Sequence, residues 1–305
     1  MPDHSANWHD FLAPKFWGSW LLIALLRAVA LLPFGPGLAM GAAIGRLLYY
    51  LLPSRRHVVA VNVGLCFPEK TPQQQQLFCR QIFRENGIGL VETAWAYWGD
   101  MAAIRAKTTV IGSDLVTQAL AQGRGLIVLG AHFSTLDLGG VLFGCYGIQA
   151  NFVYRRHNNP LMEYMITRKR SRFSNVIERT KFRQMIRCLR KNESIWYAPD
   201  QDFGSKAAVY APFFGHPAAT IVGTTKMVRL NKSPILMVSH HRLADNSGYI
   251  IEMSEVPGFP SGDESLDAAI VNSTIEREIR KYPEQYMWVH RRFKTQPDGK
   301  HKLYR

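Results

Sequence analysis

Cysteine is scarce in this 305-residue chain. Cys66, Cys79, Cys145 and Cys188 are scattered, with no C-x-x-C pair and no metal-type spacing. That argues against a disulfide framework or a structural metal site and reads as reduced, mostly buried thiols of a protein facing the cytoplasm. Acidic residues are also short: 23 Asp and Glu face 37 Lys and Arg, a net charge of +14. Such an imbalance implies an anionic partner: nucleic acid, an acidic membrane face, an acidic protein or a phosphorylated substrate. There is no internal repeat, low-complexity tract or long linker, and nearly half the residues are hydrophobic. The chain is therefore globular, one large domain or two small ones, with ample length for a core. G-x-S-x-G is absent, which argues against a serine hydrolase.

Long apolar runs occur only at the amino end. FWGSWLLIALLRAVALLPF (16–34) is interrupted by Arg27 alone, and GLAMGAAIGRLLYYLLP (37–53) follows at once. About 20 apolar residues cross a bilayer, whereas an arginine near mid-bilayer costs about 2.5–3.5 kcal/mol on insertion scales. Two membrane readings stand, a single span with a tolerated arginine or a helical hairpin in the interface, beside the plainer one of a buried core helix. The opening MPDHSANWHD carries two acids and no base, which does not suit a cleaved secretory signal. Arg46, Arg55 and Arg56 crowd the carboxyl flank, so the positive-inside rule leaves the remainder in the cytoplasm. Residues 1–53 are expected to be a membrane-attachment segment and 54–305 the functional domain.

Beyond residue 54 the pattern alternates. Thr71 is a plausible N-cap with Pro72 at the first helical position, and Gly87 and Gly89 suggest a break in the helix that follows. Short apolar runs suit buried strands at 125–130, 150–155, 194–199, 234–239 and 248–253. Between them, Phe182, Met185, Ile186 and Leu189 make one stripe of a helix that Thr180 could cap. Strands alternating with helices predict an α/β domain with a mostly parallel sheet and flanking helices.

The chemistry centres on GAHFSTLDLGG (130–140). GLIVLGAH reads as a buried strand running into His132, and Ser134 or Thr135 can cap the helix that starts there, with Asp137 in its first turns. Functional residues of open α/β sheets gather at the carboxyl ends of strands. Asp137 could hold one imidazole nitrogen of His132 while the other takes a proton, a base with its orienter but no protein nucleophile. A structural histidine bonded to a capping carboxylate is the bland alternative. A metal site is disfavoured, because two ligands are too few.

Longer motifs extend the argument: NVGLCFPEKT (62–71), GLVETAWAYW (89–98), VYRRHNNPLME (153–163), RKRSR (168–172), WYAPDQDFG (196–204) and PEQYMWVHRRFKTQP (283–297). With GAHFSTLDLGG they make the chain resemble the late acyltransferases of lipid A biosynthesis, the lauroyl, palmitoleoyl and myristoyl transferases that use acyl carrier protein. The resemblance covers nearly the whole chain, and Asp137 stands where close relatives often carry Glu. It implies a glycerolipid-acyltransferase-like fold and transfer of a fatty acyl group from acyl carrier protein to a hydroxyl of a 3-hydroxyacyl chain on a lipid A precursor. It also implies no metal or dissociable cofactor, since the phosphopantetheine arm belongs to the carrier. His132 would be the general base and Asp137 its orienter. An arginine after the N-N-x-L-M-E block and the aspartate of A-P-D, both needed for activity in the family, map onto Arg170 and Asp200.

The charge excess is local. Residues 155–191 hold twelve Lys or Arg against two Glu, ten of the chain's fourteen net charges. A charge run is usually a solvated face, and Arg183, Arg187 and Arg190 can be only that. Arg155 and Arg156 follow a strand end, while Arg170 and Arg172 follow a helix, positions that suit phosphate binding or an oxyanion. Asp200 and Asp202 lie at another strand end, with either turn or functional roles open to Asp202. The stretch 286–294 could seat the domain on headgroups, although Tyr286 and Trp288 can equally be core. The expected partners are acyl carrier protein, the lipid A precursor and anionic lipids of a bacterial inner membrane, with the catalytic domain on the cytoplasmic side. No nucleic-acid fold signature appears. Two other readings are a glycerophospholipid acyltransferase and a non-catalytic basic membrane-binding protein.

Overall fold

The computed structural model of the protein describes residues 7–299 and 303–304. Two 3-10 turns, Trp8–Phe11 and Pro14–Phe16, lead into α1 (Trp17–Val29), α2 (Phe34–Leu51), α3 (Pro53–Cys66), α4 (Pro72–Trp98) and α5 (Met101–Arg105). The alternating part follows: β1 (Thr108–Ile111), α6 (Ser113–Ala121), β2 (Leu126–Leu129), α7 (Leu136–Cys145), β3 (Ala150–Tyr154), α8 (Pro160–Arg170), β4 (Val176–Glu178), α9 (Phe182–Arg190) and β5 (Ser194–Tyr197). The chain closes with β6 (Ala208–Phe213), β7 (His216–Ile221), α10 (Gly223–Asn231), β8 (Ile235–Arg242), β9 (Tyr249–Glu255) and α11 (Glu264–Lys281).

Seven strands form one sheet in the order β1-β9-β8-β2-β5-β3-β4. Every neighbouring pair is parallel except β8–β9. The mostly parallel α/β reading is therefore correct. Central β2 is buried at all four residues, as expected of a strand covered on both faces. β6 and β7 make a separate antiparallel hairpin whose turn, Phe214–Gly215, takes two positive φ angles.

Helix α4 begins as its sequence predicts. The Thr71 hydroxyl accepts from Gln74 N while Gln74 Oε1 accepts from Thr71 N, a reciprocal capping box. The break expected at Gly87 and Gly89 does not occur, and α4 runs on to Trp98. Those glycines are contact points instead. Gly41 and Gly45 of α2 lie one turn apart, and a Cβ at Gly41 would sit 2.6 Å from Ile88 Cα, one at Gly45 2.7 Å from Arg84 Cα. Gly87 meets the same two residues from the other side, and a Cβ on Gly89 would sit 2.6 Å from Ser134 O. Two helix backbones approach this closely only where at least one of the facing residues lacks a side chain. Each wholly buried residue beside the seam, such as Ile88, contributes about 1.5–3 kcal/mol. A buried polar cluster ties α4 to the sheet: Tyr249 donates to Glu92 Oε1 at 3.1 Å, and Arg242 pairs with Glu85. Burial pushes the Glu92 carboxyl up to about 8 against the opposing Tyr249 bond.

The amino-terminal segment departs from the single-span expectation. Among the described residues no helix is long and apolar enough to cross a membrane. The 16–34 run yields only the 13 residues of α1, about 20 Å at 1.5 Å per residue against a hydrocarbon layer of about 30 Å. A turn at 30–33 then redirects the chain into α2, whose glycine face is committed to α4. Part of the charge reading of the first ten residues lies outside the described residues. Inward, Phe11, Phe16 and Ile23 pack with Leu161 of α8. Outward, Trp17, Leu21, Leu22 and Leu25 form one exposed stripe of α1, and Leu31 is 80% exposed.

Candidate active site

β2 and β5 are parallel neighbours in register from Leu126↔Ser194 to Leu129↔Tyr197, and Gly130 N still donates to Tyr197 O at 3.0 Å. The two chains thus leave the sheet side by side, delivering His132 from one and Asp200 from the other. The 131–134 turn is pinned from above. Ser134 N donates to Gln285 O at 2.7 Å and Met287 N to His132 O at 2.9 Å, an antiparallel bridge centred on Phe133 and Tyr286.

The imidazole partner differs from the one that spacing suggests. His132 Nδ1 lies 2.7 Å from Asp200 Oδ1, and His132 N donates to Asp200 Oδ2 at 2.9 Å. The Tyr286 hydroxyl completes the set, donating to Oδ2 at 3.0 Å. Burial raises the Asp200 carboxyl, but the His132 charge and these hydrogen bonds outweigh it and bring it to about 2. A carboxylate so held fixes the proton on Nδ1 and leaves Nε2 as the acceptor.

Asp137 is occupied elsewhere. Its Oδ1 accepts from Arg170 Nε at 3.0 Å, Arg170 Nη2 at 2.6 Å and the Tyr97 hydroxyl at 2.8 Å. α7, α8 and the last turn of α4 each contribute one member. Burial lowers the Arg170 pKa, but the Asp137 charge more than compensates and holds the guanidinium charged. The α7 cap also differs: Thr135 is the N-cap residue without a side-chain cap bond, its hydroxyl lying 2.7 Å from His240 Nδ1. Burial lowers His240 to about 4, so this second histidine is neutral and structural.

Both carboxylate clusters open onto one cavity of about 1180 Å³. Leu136, Phe152, Phe173 and Trp196 give it an apolar wall, while His132, Asp137 and Arg170 stand on a polar one. A base with a free nitrogen, an anchored guanidinium and a hydrocarbon wall can bring an alcohol to an acyl carbonyl. Among the described residues no three His, Cys, Asp or Glu converge as metal ligands.

A profile of bacterial lipid A biosynthesis acyltransferases matches residues 6–295. The chain belongs to that family. It is 39% identical over 299 residues to the lipid A biosynthesis palmitoleoyltransferase of Escherichia coli K12, covering 97% of each chain. Against the lauroyltransferase of the same organism it is 36% identical over 293 residues, 94% of this chain and 95% of that one. The E. coli myristoyltransferase is 23% identical over 304 residues. This lipid A acyltransferase is thus an enzyme, and the glycerophospholipid and non-catalytic readings are not favoured.

The remaining expected residues of the acyltransferase take different places in the fold. Arg155 lines the cavity; Arg172 is exposed and outside its lining. Asp202 ties loops together, accepting from Thr295 N at 2.6 Å, the Thr295 hydroxyl and Gly204 N. Tyr286 and Trp288 are buried, so the headgroup seat suggested for them is excluded. Thr180 does not cap α9, which starts from Lys181 with no side-chain cap. Sequence reasoning did not anticipate the roles of Tyr97 and Tyr286, nor His290, whose ring sits 5.8 Å from that of His132. Burial and the His132 charge lower His290 to about 4, and Gln201 lies 3.0 Å from its Nε2. The signal was present, since Tyr97, Gln201, Tyr286 and His290 all lie inside the resembling motifs.

Proposed function

We propose that the enzyme transfers a fatty acyl group from the thioester of acyl carrier protein to the hydroxyl of a 3-hydroxyacyl chain on a phosphorylated lipid A precursor. His132 Nε2 takes the hydroxyl proton as the oxygen attacks the thioester carbonyl. The new C–O bond forms, the C–S bond breaks, and the proton passes to the departing thiolate. Asp200 holds the imidazole in the required tautomer and balances its positive charge in the transition state. Arg170, with Nε and Nη2 fixed by Asp137, offers its remaining donors to the developing oxyanion. No metal or dissociable cofactor enters this scheme, because the carrier brings the phosphopantetheine arm.

Family membership identifies the reaction class; the 2.7 Å His132–Asp200 contact at the cavity wall carries the mechanism. Residues 1–53 act in this reading as the attachment segment for the cytoplasmic face of the inner membrane. The exposed α1 stripe enters the interface, and Arg55 and Arg56 meet anionic lipid at about 1 kcal/mol each. The basic face of α9, with Arg183, Arg187 and Arg190, steers the acidic carrier protein.

The test is acyl transfer in vitro from acylated carrier protein, with a disaccharide precursor and a glycerophosphate acceptor offered separately. The disaccharide should gain one acyl group by mass spectrometry, and His132→Ala should lower the rate about 10²–10⁴-fold. Acylation of the glycerophosphate alone would overturn the acceptor assignment. Near-normal turnover by folded His132→Ala would end the general-base role.

A further inference from the structure

The active-site cavity is lined by six cations, Arg155, Arg170, Arg179, Lys206, Lys226 and Lys294, and by two carboxylates, Asp137 and Asp202. Both carboxylates are spoken for: Asp137 by Arg170 and Tyr97, Asp202 by Thr295 and Gly204. Arg155, Arg179, Lys206 and Lys226 have no carboxylate within ion-pair distance among the described residues. The Arg179 guanidinium lies over the Phe203 ring, 5.0 Å from its centre.

Topology, more than composition, brings these charges together. β3 and β4 are parallel and paired up to Tyr154↔Glu178, so Arg155 and Arg179 are the next residues on two adjacent strands. Arg179 N donates to Tyr154 O at 2.8 Å, which keeps the strands paired to their ends. Two arginines therefore leave the sheet side by side at its carboxyl edge, where open α/β sheets bind ligands. Lys206 joins from the loop after β5, and Lys226 from the first turn of α10. Along the same edge, β2 and β4 are three strand spacings apart, roughly 14 Å at about 4.8 Å per strand. The cationic wall is thus separate from His132 yet in the same cavity. Like charges placed together from four parts of the chain repel unless an anion joins them, and phosphate-ester oxygens match both guanidinium and ammonium donors.

We infer that Arg155, Arg179, Lys206 and Lys226 form a phosphate-ester subsite of the cavity. The proposed acyl transfer supplies two sources for the ester, the donor's phosphopantetheine arm and the sugar phosphate of the acceptor; the assignment of a source rests on that reading, the subsite does not. The test is lysine footprinting of the full-length protein with an amine-acylating reagent, read by mass spectrometry at Lys206 and Lys226, with half-buried Lys70, outside the cavity lining, as the internal control. The probes are 4′-phosphopantetheine against pantetheine, and glucosamine 1-phosphate against glucosamine. One phosphate compound should protect both lysines at about millimolar concentration while its phosphate-free partner does not, and Lys70 should be unaffected. Protection by phosphopantetheine assigns the donor arm; protection by the sugar phosphate assigns the acceptor. Arg155→Gln with Arg179→Gln should raise the protecting concentration about tenfold or more, the worth of one charge-assisted bond. No protection at about ten times that concentration, equal protection by the phosphate-free partners, or an unchanged double variant would each overturn the subsite. Because no turnover is measured, a protein that binds phosphate but transfers no acyl group would refute the acyl-transfer reading and leave the subsite standing.

Discussion

Asp200→Asn is the perturbation that separates this site from the one suggested by spacing alone. The carboxylate accepts three hydrogen bonds, from His132 Nδ1 and His132 N and from the Tyr286 hydroxyl, shared between its two oxygens. An amide has one acceptor oxygen. If its NH₂ faces the ring, Nδ1 must become the acceptor, the proton moves to Nε2, and the base is disabled. If its NH₂ faces the other way, the backbone N–H of His132 is left buried without a partner, at about 1–3 kcal/mol. Lowering of the carboxyl from 3.8 to about 2 adds an electrostatic contribution of about 2 kcal/mol. The sign follows from that depression: the contribution is complete above pH 4 and disappears as the pH falls towards 2. Asp200→Asn should therefore be destabilised at pH 7 by about 2 kcal/mol and lose about 10²–10⁴ in single-turnover rate with saturating donor.

Asp137→Asn is the control. All three of its bonds converge on Oδ1, so an amide oxygen in that place keeps the geometry and removes only charge. Its rate loss should be smaller than that of Asp200→Asn. If folded Asp200→Asn turned over within about tenfold of wild type while Asp137→Asn lost activity, the orienting carboxylate would be Asp137 and the present assignment would fail.

Arg170→Lys should be nearly as damaging as Arg170→Ala at every salt concentration, because an ammonium cannot replace the Nε and Nη2 pair on Asp137; wild-type rates across a salt series would remove Arg170 from the site. Glu92 keeps a proton in the fold up to about pH 8 but loses it in the unfolded chain near 4.5. Stability from this group is complete below pH 4.5 and declines as the pH rises towards 8, by at most about 5 kcal/mol. The melting temperature of Glu92→Gln should therefore gain on wild type between pH 5 and pH 9, and parallel melting curves across that range would contradict the shift. Leu21→Gln with Leu25→Gln, two exposed positions of α1, should leave melting unchanged and weaken flotation with anionic vesicles, by up to about 1.5–3 kcal/mol for each leucine no longer buried. Full vesicle binding by the folded variant would take α1 out of the interface.

The central strands were legible because β2, β5 and β8 are buried on both faces, where the sequence must be a continuous apolar run. β1 and β4 are edge strands of four and three residues, too short for any period to declare itself. The β6–β7 hairpin carries Pro212 and Pro217 and turns through a phenylalanine in the left-handed region, all of which reads as loop. Glycine misled for a different reason. Gly87 and Gly89 cost helix propensity locally, and only the partner backbones of Gly41, Gly45 and Ser134 explain why α4 accepts that cost.

The carboxylate that contacts His132 was hidden by the same locality. H-x4-D brings His132 and Asp137 within a turn of each other, so the spacing makes the pair available. It cannot reveal competitors. Arg170 ends α8, 33 residues further on, and Tyr97 lies near the end of α4, 40 residues before; both reach Asp137 only after three helices have packed. Asp200 meets His132 across 68 residues because β2 and β5 pair in parallel and release their chains together. A cation 2.6 Å away and a buried carboxylate already on Nδ1 outweigh sequence proximity, since a charge-assisted bond is worth roughly twice a neutral one. The motif fixes which groups stand at the strand end; the sheet order decides which of them are paired. A short H-x4-D spacing can therefore place a histidine at the cavity while pointing to a carboxylate other than the one its imidazole contacts.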